Sequence, residues 1–143
     1  MNQGLVLMPV SPGELLDRLS ILSVKQDKLA GEQMETVREL AQELHKVADQ
    51  FLDRPGVPTL VERLVEINTQ LWEVEDRLRA LDRWVFPMLP EGPLGQPAGK
   101  DAATYCKLAR LVYNLNDQRC GWKRELDEML GGVVEPKQYT EYE

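Results

Sequence analysis

Apolar residues recur along this chain at steps of three and four, in four separate stretches. The first opens on Ser11-Pro12-Gly13-Glu14. This is a capping box, with Ser11 as N-cap, Pro12 at the first helical position and Glu14 placed to reach back. Val10 and Leu15 flank the cap as a hydrophobic staple. Leu15, Leu16, Leu19, Ile21, Leu22 and Val24 form an apolar face too broad for one neighbour. This helix, over residues 12–30, is expected to be contacted on more than one side. A second stretch, residues 32–53, carries Met34, Val37, Ala41, Leu44, Ala48 and Phe51. Its stripe is out of phase with the first, so Gly31 is either a turn between two helices or a kink within one.

Arg54-Pro55-Gly56-Val57-Pro58 stops the second stretch, and Thr59 with Glu62 makes another capping box. Leu60, Leu64, Ile67, Leu71, Val74, Leu78, Leu81 and Val85 then give a heptad seam over residues 59–85. Residues 86–100 hold four prolines and three glycines, a loop that is long for a helical bundle. The fourth helix, residues 101–130, shows Tyr105, Leu108, Val112, Leu115, Trp122, Leu126 and Met129 on one stripe and ends at Gly131-Gly132. Residues 131–143 read as an irregular acidic tail in which Pro136 bars helix. No strand-like alternation competes. The expected fold is all-α, one domain over residues 1–143, built as an antiparallel helical bundle or a pair of long helical hairpins.

Composition narrows what such a bundle can do. With 17 basic and 24 acidic side chains among 143 residues, the net charge is −7, which argues against broad nucleic-acid binding. The apolar run Leu5–Val10 is too short to span a bilayer and has no basic region ahead of it, so neither a membrane span nor a secretory leader is expected. Cys106 and Cys120 stand 14 residues apart on one helix, roughly 21 Å by its rise, and are expected to be free thiols of a cytoplasmic protein.

Candidate chemistry lies in two clusters. His45 is the lone histidine and reads as a solvated helix residue, so neither a di-iron nor a zinc centre is expected. Glu66, Glu73 and Asp76 share a helix face and could hold Mg²⁺, as in small all-α nucleotide hydrolases. The competing reading is surface pairing of Glu73 with Arg77 and of Glu75 with Arg79. The second cluster, on the fourth helix, includes Tyr113, Asn116, Asp117, Arg119, Cys120 and Lys123. Arg119 occupies a slot where the stripe calls for an apolar residue. It is therefore expected to be largely buried and paired with Glu14, Asp17, Glu75 or Asp76. On this reading Arg119→Met is better tolerated than Asp17→Ala. Gly121, mid-helix at a cost of about 1 kcal/mol, is expected to mark a close approach by another helix or a ligand. No nucleophile motif or phosphate-binding glycine loop is present, and no catalytic residue can be named.

Three blocks and the tail resemble a bacterial family of small helical proteins, a domain of unknown function. They are Pro9 to Leu22, Leu71 to Arg79, and Leu108 to Leu126 with its Asn116-Asp117-Gln118-Arg119 and Lys123-Arg124-Glu125-Leu126 elements, followed by Val133 to Tyr139. The long Pro- and Gly-rich loop departs from the family pattern. The resemblance implies a setting beside glycosyltransferases of bacterial surface polysaccharide, and no activity. It matches Glu14, Asp17, Glu75, Asp76, Asn116, Asp117, Arg119 and Lys123 here, which overlap the polar clusters read from helix spacing. The functional expectation is a non-enzymatic helical module that binds a protein partner and also itself, without cofactor. The alternative is a Mg²⁺-dependent nucleotide hydrolase or nucleotide-sugar binder using the acidic and arginine cluster.

Overall fold

The computed structural model describes residues 4–85 and 100–134. Four helices follow in order: α1 (Pro12–Lys28), α2 (Gly31–Leu52), α3 (Val57–Val85) and α4 (Lys100–Leu130). No strand occurs among the described residues, and the architecture is all-α. The loop expected over residues 86–100 lies outside the described residues except for Lys100, which opens α4. The expected tail is described only through Val134.

Local chemistry sets the helix ends. The Ser11 Oγ accepts the Glu14 amide at 3.2 Å, and Pro12 occupies the first turn. Only half of the capping box forms, because the Glu14 carboxylate turns to Lys123. Val10 is exposed, not folded in as a staple. At Gly31 the two readings resolve in favour of a turn. α1 closes with the Leu29 amide bonded to the Lys25 carbonyl, and Gly31 adopts φ +63, a conformation that favours glycine. The third helix begins ahead of the expected Thr59 cap. Val57 is fully buried and its amide bonds to the Arg54 carbonyl, so the helix starts there, with Pro58 in its first turn. Past Leu130, Gly131 takes φ +71 and the Gly132 amide reaches the Asp127 carbonyl at 2.8 Å, a Schellman closure.

Two helical hairpins of unequal length pack together. The longer joins α3 to α4, with helices of roughly 43 and 46 Å at 1.5 Å per residue. α1, at roughly 25 Å, lies along it and touches all three other helices, as its broad apolar face predicts. α2 leans mainly on α1 through Val37, Ala41 and Ala48.

The hydrophobic core divides accordingly. One part draws on all four helices and includes the fully buried Leu16, Leu64 and Leu126; burying each such leucine is worth about 1.5–3 kcal/mol. The other lies between α3 and α4 alone, around Ile67, Leu71, Val74, Leu108 and Leu115. Trp122 packs against both parts, and the Arg63 guanidinium sits 4.7 Å from its ring centroid.

Candidate functional site

The buried polar residues are not scattered. On α1, Gly13, Asp17 and Ser20 follow one another at steps of four and three, and all are buried. On α4, Asn116, Arg119, Lys123 and Asp127 follow at steps of three, four and four. The helices run antiparallel, so these two rows face each other and form a polar seam inside an otherwise apolar bundle.

Asp17 is the centre of the seam, with 1% of its surface exposed. Arg119 donates to it in fork geometry, Nη2 to Oδ2 at 2.8 Å and Nε to Oδ1 at 3.0 Å. Asn68 of α3 donates from one Nδ2 to Asp17 Oδ1 at 3.1 Å and to Ser20 Oγ at 2.8 Å, and Ser20 Oγ donates to the Asp17 carbonyl. Arg119 also reaches Asn116 Oδ1 at 3.3 Å. The Lys123 ammonium pairs with Glu14 at 2.5 Å and lies 3.9 Å from Asp17. The hydrogen bonds that Arg119 donates to Asp17 raise its guanidinium pKa above the ordinary value. Burial opposes that rise, and the charge of Asp17 adds to it.

Further along the seam, Asp127 caps α1 from another helix. Its Oδ1 accepts the Gly13 amide at 2.7 Å, and its Oδ2 accepts the Ser11 hydroxyl at 3.0 Å. A carboxylate there neutralises the positive end of the α1 dipole. The approach is tight. A Cβ on Gly13 would fall 2.8 Å from Asp127 Oδ1 and against the Lys123 carbonyl, and one on Gly132 would fall 2.7 Å from Pro12 Cδ.

Glu14, Asp17, Asn116, Arg119 and Lys123 are therefore brought together, and Asp117 follows on α4, half-buried. Glu73, Glu75 and Asp76 are not part of this set. Glu73 pairs with Lys28 of α1 at 3.6 Å, in place of the expected Arg77. Glu75 pairs with Arg79 as expected, and Asp76 joins the same guanidinium. Glu66 is exposed, and no group of potential metal ligands gathers among the described residues. His45 is exposed and meets Asp49 at 3.0 Å. Gly121 does not mark a close approach, since nothing lies within 4 Å of where its Cβ would stand; the glycines that do so are Gly13 and Gly132.

Asp17 pairs with Arg119 and Glu14 with Lys123, and the Asp127 carboxylate accepts from the Gly13 amide and the Ser11 hydroxyl, so each of these charges already has a partner within the seam. No buried side-chain donor or acceptor among the described residues lacks a partner. The seam fixes α1 on α4. Ahead of α1, beyond the seam, Leu5, Val6, Leu7, Met8 and Val10 stand exposed. Met8, Pro9 and Val10 share a shallow groove with Val133, which follows α4 and is itself exposed.

No helix among the described residues is long and apolar enough to cross a membrane. No family model, curated protein or solved structure matches the chain.

Proposed function

We propose that this protein is a non-enzymatic helical interaction module that associates with itself and binds a protein partner, in the setting of bacterial surface-polysaccharide synthesis. The observation that carries this reading is the gathering of exposed apolar side chains at one end of the bundle, where the start of α1 meets the end of α4. Val6 is 89% exposed, Met8 72% and Val133 83%. Large contiguous apolar surface on a folded protein is a mark of an interaction site, because water contact costs free energy that a partner surface relieves. The setting rests on the sequence blocks described above.

Light scattering after size-exclusion chromatography tests the self-association. The expected result is a mass of about twice the 16.3 kDa chain at high micromolar concentration. Dimer formation should strengthen with added salt, which screens repulsion between two chains of net charge −7. A strict monomer across that range would overturn self-association.

A further inference from the structure

We infer that two copies meet through the segment ahead of α1, Leu5–Val10 of one protomer lying antiparallel beside Leu5–Val10 of the other, with Val133 of each covering the ladder. This deepens the self-association reading and rests on it.

Charge selects the place. Each copy carries −7, so two copies repel wherever acidic surfaces approach. Residues 1–13 carry no charged side chain, and the first carboxylate after them, Glu14, is already paired with Lys123. The apolar end is thus a surface on which a second identical chain can settle at little electrostatic cost.

Backbone chemistry selects the mode. Among the described residues no hydrogen bond ties the Leu5–Val10 backbone to the rest of the chain; the first loop bond is from the Leu15 amide to the Ser11 carbonyl. A surface that covers Val6, Leu7 and Met8 also takes the intervening amides and carbonyls out of water, and these then need partners. A helix face cannot supply them, because its own backbone groups are already paired; an extended chain can. The described part of a second copy offers no strand, so the matching element is the same segment related by a two-fold axis. Local preference agrees. Val6 and Val10 are β-branched, and Pro9 biases Met8 toward extended backbone. Pro9 has no amide to donate and must face away from the partner strand, which turns the amides of Val6, Met8 and Val10 toward it. A two-stranded ladder of this length is marginal alone, and the apolar cover from Val133 supplies the remainder.

Three variants of the full chain test the pairing by sedimentation equilibrium, with circular dichroism confirming unchanged helix content. Val6→Pro removes a ladder amide, Met8→Asp places a charge in the apolar groove that Val133 shares, and Val47→Asp alters an exposed valine on α2 as a control. Val6→Pro and Met8→Asp should each weaken the dimer by about tenfold or more, and Val47→Asp should leave it within about threefold. Amides of Val6, Met8 and Val10 should exchange more slowly in concentrated than in dilute solution. A dimer equally strong in Val6→Pro and Met8→Asp would overturn the pairing while leaving self-association through another surface. A wild-type monomer would overturn both.

Discussion

Arg119 and Asp17, 102 positions apart in sequence, form a forked ion pair in which the acid is the more deeply buried partner: 1% of its side chain is exposed against 25% for the arginine. That asymmetry reverses the order of tolerance expected from sequence. A guanidinium without its partner can extend to water from this position, whereas a carboxylate stranded at Asp17 cannot. Arg119→Met should therefore cost about 3–5 kcal/mol in chemical denaturation, and Asp17→Ala less. The double variant Asp17→Asn with Arg119→Met should recover much of the loss, because Asn68 still has an oxygen to bond. A loss in the double variant equal to the sum of those of Asp17→Asn and Arg119→Met alone would show that the pair contributes nothing specific.

The contribution of Arg119 should stay constant from neutral to moderately alkaline pH. The folded-state pKa of Arg119 is raised, so its stabilisation is fully present below the ordinary arginine value and is lost only as pH rises through the higher one. The cost of Asp17→Asn should accordingly match at about pH 6.5 and about pH 9, both far below that range. A cost that falls between these two values would contradict the assignment.

Gly13 and Gly121 should respond to alanine in opposite directions. Gly13→Ala forces a methyl group against the Lys123 carbonyl and Asp127, neither of which can withdraw without breaking the α1 cap. A loss of about 2–3 kcal/mol is expected. Gly121→Ala meets open space in a helix interior and should stabilise by about 0.5–1 kcal/mol. Thermal melts of both proteins decide the matter.

Removing the cap from the other side should give a related result. Asp127→Ala leaves the Gly13 amide, which is buried, without an acceptor and should cost about 1–3 kcal/mol. Asp127→Asn keeps an oxygen at that position and should lose less. Equal losses would mean that the carboxylate acts through its charge on the helix end and not through the amide bond.

The acidic residues of α3 should prove dispensable. Glu73 and Asp76 are each more than half exposed and paired with surface cations. Glu73→Gln and Asp76→Asn should shift stability by no more than about 0.5 kcal/mol. Mg²⁺ with a nucleotide should leave the melting temperature where it was. A rise with Mg²⁺ that disappears in these variants would point instead to a cation site there.

The four helices could be read from spacing and punctuation because each signal is local: a Ser-Pro start, a Gly-Gly stop, a stripe at steps of three and four. Arg119 stands out for the same reason, as a charge in an apolar row. Spacing narrows its partner to four acids and no further, since the choice of Asp17 depends on how α1 is laid along α4. Asn68, Ser20 and Asp127 escape the local pattern, although they leave a trace. Asn68 lies one step from Leu64 and Leu71 on the α3 stripe, and Asp127 continues the row of Arg119 and Lys123. Gly13 reads as part of a cap. Its need for a bare Cα comes from a carbonyl more than a hundred positions later, which no local pattern reports. The same limit explains Gly121, whose mid-helix position suggested a neighbour that the helix packing does not bring.

The span between the partners of the seam bears on how the protein is made. α1 leaves the ribosome ahead of the other three helices, already carrying Asp17 and a Gly13 amide that still lacks its acceptor, but Arg119 and Asp127 are added only after 102 and more further residues. At roughly 5–20 residues per second, α1 waits several seconds for them. Until α4 arrives, water must solvate Asp17, so the face of α1 that carries it cannot pack. The first hairpin can form early through its leucines and alanines, but native closure is deferred until the last helix is synthesised. A nascent chain halted before Arg119 should therefore remain sensitive to protease along α1, and one released past Leu130 should not.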